Sequence, residues 1–190
     1  MLYGRQRLQV WTGYLRSQER HGKANRTGAG DSMELWQRFT GRARTAILLA
    51  HDEAQQMYAH LIGTEHMLLG LIRLGDCKAT NVLGALGVDM EDLGDDLRRN
   101  ADMDSDPKRA SEITFTRESE RVLRRAYEQA RELRDPHIGT EQILLSLARE
   151  DSGEVFRALS RHGVDAERVR EMIMQMAGGP VGAEEPEELS

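Results

Sequence analysis

Ile62-Gly63-Thr64-Glu65 recurs as Ile138-Gly139-Thr140-Glu141, 76 positions further along the chain. The echo extends both ways at the same offset. Phe39-Thr40 recurs as Phe115-Thr116, and Ala50 and Ala54 recur as Ala126 and Ala130. Leu68, Leu69 and Leu71 recur as Leu144, Leu145 and Leu147, and Gly87-Val88-Asp89 recurs as Gly163-Val164-Asp165. A constant offset means a duplicated unit without net insertion. It implies two similar halves on one core, and two copies of any site the unit carries.

The unit reads as helical. Thr40 is placed as an N-cap, because its hydroxyl can accept from a backbone N–H one turn on. Beyond it Ala43, Ala46, Ile47, Ala50, Ala54 and Met57 recur at three- and four-residue spacing, which is one apolar helix face. Thr116 starts the matching helix, with Ser119, Val122, Leu123, Ala126, Ala130 and Leu133 on its face. Gly63 breaks the chain and Thr64 is expected to cap a second helix, Glu65 to about Leu74. Gly139 and Thr140 do the same for Glu141 to about Arg149. Third helices span about Lys78 to Leu86 and Glu154 to His162, each followed by a glycine suited to a helix end. Fourth helices start at Asp89 and Asp165. No period-two apolar run bounded by turn residues is present, so strands are not expected. The expected fold is all-α: a compact eight-helix domain of two four-helix repeats with pseudo-twofold symmetry. The domain is placed at 33–177, with repeat one at about 36–99 and repeat two at about 112–176.

The flanks differ in composition. Residues 1–30 hold six basic residues against one acid, so they carry +5 and leave −11 for the rest. Residues 1–32 are read as a basic flexible arm and linker, with Tyr3, Trp11 and Tyr14 interleaved. Such an arm is of the kind that touches nucleic acid, and a nucleic-acid-binding regulator is the alternative reading. Residues 178–190, with two prolines and four glutamates, are read as a disordered acidic tail. No apolar run approaches the ~20 residues that span a bilayer, and the start of the chain does not read as a secretion signal. Cys77 is the only cysteine, which excludes an internal disulfide and fits a reducing cytosol. The expected location is cytoplasmic.

Catalytic signatures are missing. No metal-binding HExxH, no serine elbow and no phosphate loop of the GxxxxGK type occurs, so no cofactor, no metal and no ATP hydrolysis are expected. His60, Glu65 and His66 lie close together, but their counterparts are Pro136, Glu141 and Gln142. What remains is a pair of Thr-started helices, whose first turns attract anions, and a carboxylate, Glu65 or Glu141, at the start of another helix in each repeat. A helix start beside a carboxylate suits a ligand with both charges, such as a phosphorylated guanidinium. An acid in a first turn also simply complements the helix dipole, and Thr is also simply a cap.

Phe39-Thr40, Ala50, Glu53, Ala54 and the run from Leu61 to Leu71, with its second copy from Phe115-Thr116 through His137 to Leu145, are similar to the Clp N-terminal repeat domain. That domain heads the ClpC, ClpA and ClpB unfoldases of the AAA+ class. The resemblance covers about residues 36–176 and implies a non-catalytic module that receives substrate or adaptor proteins for an unfoldase–protease. In the ClpC-type branch it implies phosphoarginine recognition by Thr40, Glu65, Thr116 and Glu141. It also implies binding of cyclic peptides, for which Trp36, Phe39 and Phe115 are the candidate aromatic surface. The chain departs from the family at Gly75-Asp76-Cys77-Lys78, where a Gly-Glu-Gly turn is usual, and at Gln142, where His is usual. Without AAA+ modules it reads as a stand-alone adaptor, decoy or sequestering protein, with the unfoldase itself as a further partner.

Overall fold

The computed structural model describes residues 35–100 and 114–177. The expected arm at 1–32, most of the connector between the repeats and the acidic tail at 178–190 lie outside them.

The first half comprises α1 (Gly41–Gln56), β1 (Leu61–Ile62), α2 (Thr64–Leu74), α3 (Lys78–Ala85) and α4 (Met90–Asn100). The second comprises β2 (Thr114–Phe115), α5 (Arg117–Glu132), α6 (Thr140–Ala148), α7 (Gly153–Arg161) and α8 (Ala166–Ala177). The duplication therefore carries through helix for helix. Its local chemistry repeats as well. Thr40 Oγ1 accepts from the Ala43 N–H and Thr116 Oγ1 from the Ser119 N–H, both at 3.1 Å. Asp89 and Asp165 each cap the fourth helix of their half by accepting two first-turn N–H groups.

Four helices end in the same way. The Ala59 N–H reaches back to the Ala54 carbonyl, and Val88, Asp135 and Val164 reach back five residues likewise. Such an ending needs a left-handed residue just past the helix. Gly87 and Gly163 supply it at φ 84° and 70°. Tyr58 and Arg134 take it at φ 55° although neither is glycine.

Apolar faces converge on one core. α1 packs along α2 and α5 along α6. Gly70 lets the first pair close up: a Cβ there would overlap the Ala46 carbonyl and sit 2.7 Å from the Ala50 nitrogen. Contacts between the halves come in twinned pairs. α3 packs on α6 and α7 on α2; α1 touches α6 and α5 touches α2; α4 meets α7 and α8 meets α3. Neither half encloses its own helices, so each completes the other's core.

Several expectations need correction. Gly63 and Gly139 occupy the cap positions of α2 and α6, and Thr64 and Thr140 are the first helical residues. The Thr140 hydroxyl is turned away from its own helix and accepts from the Ala79 N–H of α3 at 3.2 Å. Leu133 is not on the buried face of α5. It follows the helix end and is 55% exposed. Strand, not expected, occurs as β1 and β2, which pair in parallel with Ile62 opposite Phe115. A further parallel bridge joins Phe39 to Ile138. Two-residue strands carry no readable alternation, so periodicity has nothing to detect.

Candidate functional site

These short bridges place the candidate residues. Phe39 of the first half pairs with Ile138 of the second, and Phe115 of the second with Ile62 of the first. The Thr40 N–H donates to the Ile138 carbonyl and the Thr116 N–H to the Ile62 carbonyl, both at 3.0 Å. Each Thr-capped helix start is thus fastened beside the Gly-Thr-Glu turn of the opposite half. Thr40 belongs with Glu141, and Thr116 with Glu65. The sequence names these four residues as candidates but does not show this exchange, because spacing along the chain does not show which half a strand pairs with.

The aromatic residues are brought to the same bridges, but as core. Trp36, Phe39 and Phe115 are all buried, and Phe39 packs a tilted ring against Trp36 at 6.1 Å between centroids. The exposed aromatic surface expected there is therefore absent. Burying the phenylalanine beside each bridge holds the bridge in place.

The two carboxylates fold back over their own helix starts. A methyl group added at Gly63 would overlap the carboxylate of Glu65, and one at Gly139 would overlap that of Glu141. Glycine is required at both places for the acid to lie there. Behind each acid a side chain closes the turn. His66 Nδ1 accepts from the Gly63 N–H at 2.9 Å, and Gln142 Oε1 accepts from the Gly139 N–H at 2.7 Å. Gln142, at the place His66 holds in the first half, thus preserves the same bond. His66 is buried, and burial pushes its pKa down to about 4. Its Nδ1 accepts the Gly63 hydrogen bond and so carries no proton, and the ring is neutral near pH 7. The 3.1 Å approach of Glu65 Oε1 to that nitrogen is accordingly a packing contact and not an ion pair.

Beyond this the two acids differ. The Glu65 side chain is 25% exposed. That of Glu141 is 8% exposed, and Lys78 of α3 holds its Oε1 at 3.1 Å. The second oxygen, Glu141 Oε2, is buried and has no hydrogen-bond donor among the described residues. Arg42 in the first turn of α1 donates to the Asp76 carbonyl, two residues before Lys78. Arg44 Nε donates to the Phe39 carbonyl at 3.0 Å. Thr40 and Arg42 at the start of α1, with Arg44 one turn on, are thus tied through Ile138 and Asp76 to the turns that carry Glu141 and Lys78. Sequence analysis did not single out Arg42, Arg44 or Lys78. Their place beside the site follows from Thr40 facing the opposite half.

Residues 38–162 match the Clp repeat (R) N-terminal domain model. The chain belongs to the Clp N-terminal repeat family. It is 33% identical over 144 residues to the chaperone protein ClpB of Oceanobacillus iheyensis, a match covering 76% of this chain and 18% of that protein. It is 36% identical over 144 residues to chloroplastic ClpC1 of Arabidopsis thaliana, covering 76% of this chain and 15% of that one. The chain thus spans less than a fifth of these relatives. Among solved structures, the N-terminal domain of ClpD from Arabidopsis thaliana is 27% identical with a TM-score of 0.59, covering 74% of this chain and 97% of that domain. The Hsp104 N-terminal domain from Candida albicans shares the fold at 17% identity, with a TM-score of 0.65 and 75% and 93% covered. No helix among the described residues is long and apolar enough to cross a membrane.

Proposed function

We propose that this chain is a non-catalytic receiving module for client or adaptor proteins of a Clp-type unfoldase, and that it reads phosphoarginine on those proteins. Membership of the Clp N-terminal repeat family supports the coarse part. The finer part is carried by one observation: each Thr-capped helix start is bonded beside the Gly-Thr-Glu turn of the opposite half. A helix start supplies outward N–H groups and the positive end of a dipole. A carboxylate supplies acceptors for a guanidinium. The arrangement joins the two needs of a phosphoguanidinium in one place.

No step in this reading makes or breaks a bond. The duplicated unit offers the same parts in both halves, first-turn N–H groups of α1 or α5 for phosphoryl oxygens, Thr40 or Thr116 to fix the turn and Glu141 or Glu65 for the guanidinium, and one such site suffices for the reading. The chain then delivers the marked protein to an unfoldase, or withholds it. Calorimetric titration with an arginine-phosphorylated unfolded protein, beside the same protein unmodified, tests the reading. The marked protein should bind at least tenfold more tightly. Equal affinity for both forms refutes phosphoarginine recognition.

A further inference from the structure

The residues that differ between the halves say more about the site than those that agree. Around the start of α1 stand Arg42, Arg44 and Lys78. Their counterparts at the offset of 76 are Glu118, Glu120 and Glu154. Three cations in one copy are three carboxylates in the other. The exchange is not scattered over the surface. Arg42 and Arg44 lie at the start of α1, where no acid occupies the first turn, whereas Glu118 and Glu120 are the first-turn acids of α5. Lys78 opens α3, which packs on α6, and Glu154 lies at the start of α7, which packs on α2.

We propose that the duplicated site has diverged, so that the cluster of Thr40, Arg42, Arg44, Lys78 and Glu141 takes a phosphate-bearing group while its twin at Thr116 and Glu65 repels one. This rests on the functional reading above and deepens it. Two further observations point to a ligand at the cationic copy. Glu141 is 6% exposed, yet its Oε2 lacks a donor among the described residues. A buried carboxylate oxygen left unbonded is costly, and an N–H donor beside the phosphate would satisfy it. The first turn of α1 is also open, since a side chain added at Gly41 would meet nothing within 4 Å. At the twin, Arg117 replaces Gly41, and Glu120 is buried with its Oε1 lacking a donor. Glu154 is committed to Arg157 and Arg161 at 3.0 and 2.6 Å. The first turn of α5 thus sets Glu118 and Glu120 against the single cation Arg117, beside the turn that carries Glu65, where the first turn of α1 holds no acid. The ligand class for the cationic copy is a phosphoryl group carried next to an N–H donor.

The test is an amide NMR titration of the full chain, first with inorganic phosphate and then with phosphoarginine. Saturable shifts are expected at Gly41, Arg42 and Ala43, and none at Arg117, Glu118 and Ser119. The double variant Arg42→Gln, Lys78→Gln should weaken the first response tenfold or more. In a second variant, Glu118→Gln, Glu120→Gln, the α5 amides should begin to respond. Equal responses at both starts, a response at α5 alone, or none at either overturns the proposal. A chain that answers phosphate at α1 but ignores phosphoarginine keeps the divergence and removes the phosphoarginine reading. Two equal phosphoarginine sites do the reverse.

Discussion

Replacing His66 by Gln should remove a large part of the acid sensitivity of this fold while leaving its neutral stability nearly intact. His66 is buried at the start of α2 and its Nδ1 accepts from the Gly63 N–H, so the folded state holds the neutral ring. Burial lowers its pKa from the ordinary 6.5 to about 4. The unfolded chain therefore binds a proton that the folded chain refuses. The sign follows: stability is fully present above about pH 6.5 and is lost progressively as the pH falls toward 4. From that shift, the loss between about pH 7.5 and pH 5 is roughly 2 kcal/mol. The substitution itself is gentle, because Gln142 already makes the equivalent bond in the second half at 2.7 Å. His51 is also lowered by burial, so some acid sensitivity should persist in the variant. Urea unfolding followed by circular dichroism across this pH range measures the effect. The native chain should lose about 2 kcal/mol more than the variant. Parallel pH profiles for the two proteins would refute the reasoning.

Three further outcomes are expected. Gly70→Ser should destabilise by about 2 kcal/mol or more, although Ser146 stands at the twin position, because the added atoms would meet the α1 backbone; thermal unfolding measures it. Tyr58→Gly and Arg134→Gly should each stabilise by roughly 0.5–1 kcal/mol, since both native residues hold a left-handed conformation that glycine adopts freely; a lower melting temperature would contradict this. Thr40→Ala and Thr116→Ala should each cost about 1 kcal/mol through a lost helix cap, measurable by denaturant unfolding, and Thr40→Ala should also weaken phosphoarginine binding.

The helices were readable because the caps and glycine ends are local devices. Thr40, Thr116, Asp89 and Gly87 act on backbone groups within one turn, so their positions along the chain carry their meaning. The duplication added the symmetry. The exchange of Phe39 and Phe115 between halves was not readable, because two-residue strands leave no pattern and pairing across halves is set by the whole core. The aromatic residues misled for a related reason. A phenylalanine beside a cap looks like a contact surface until the bridge that buries it is seen. Lys78 reads in the sequence only as the start of a helix. Its importance comes from Glu141, 63 positions away. The signal was present in the sequence all the same, in positions that differ at the repeat offset: Arg42 against Glu118, Arg44 against Glu120, Lys78 against Glu154.

The central claim is that this domain receives marked proteins through the carboxylate of a Gly-Thr-Glu turn facing the opposite half's helix start. Calorimetry with phosphoarginine tests it most directly, using the native chain, Glu65→Ala, Glu141→Ala and the double variant. One charge-assisted bond is worth about 1.5–3 kcal/mol, so Glu141→Ala should weaken binding roughly tenfold or more. Glu65→Ala should change little, and the double variant should match Glu141→Ala. Undiminished binding by the double variant, with all four proteins equally folded, would contradict the account.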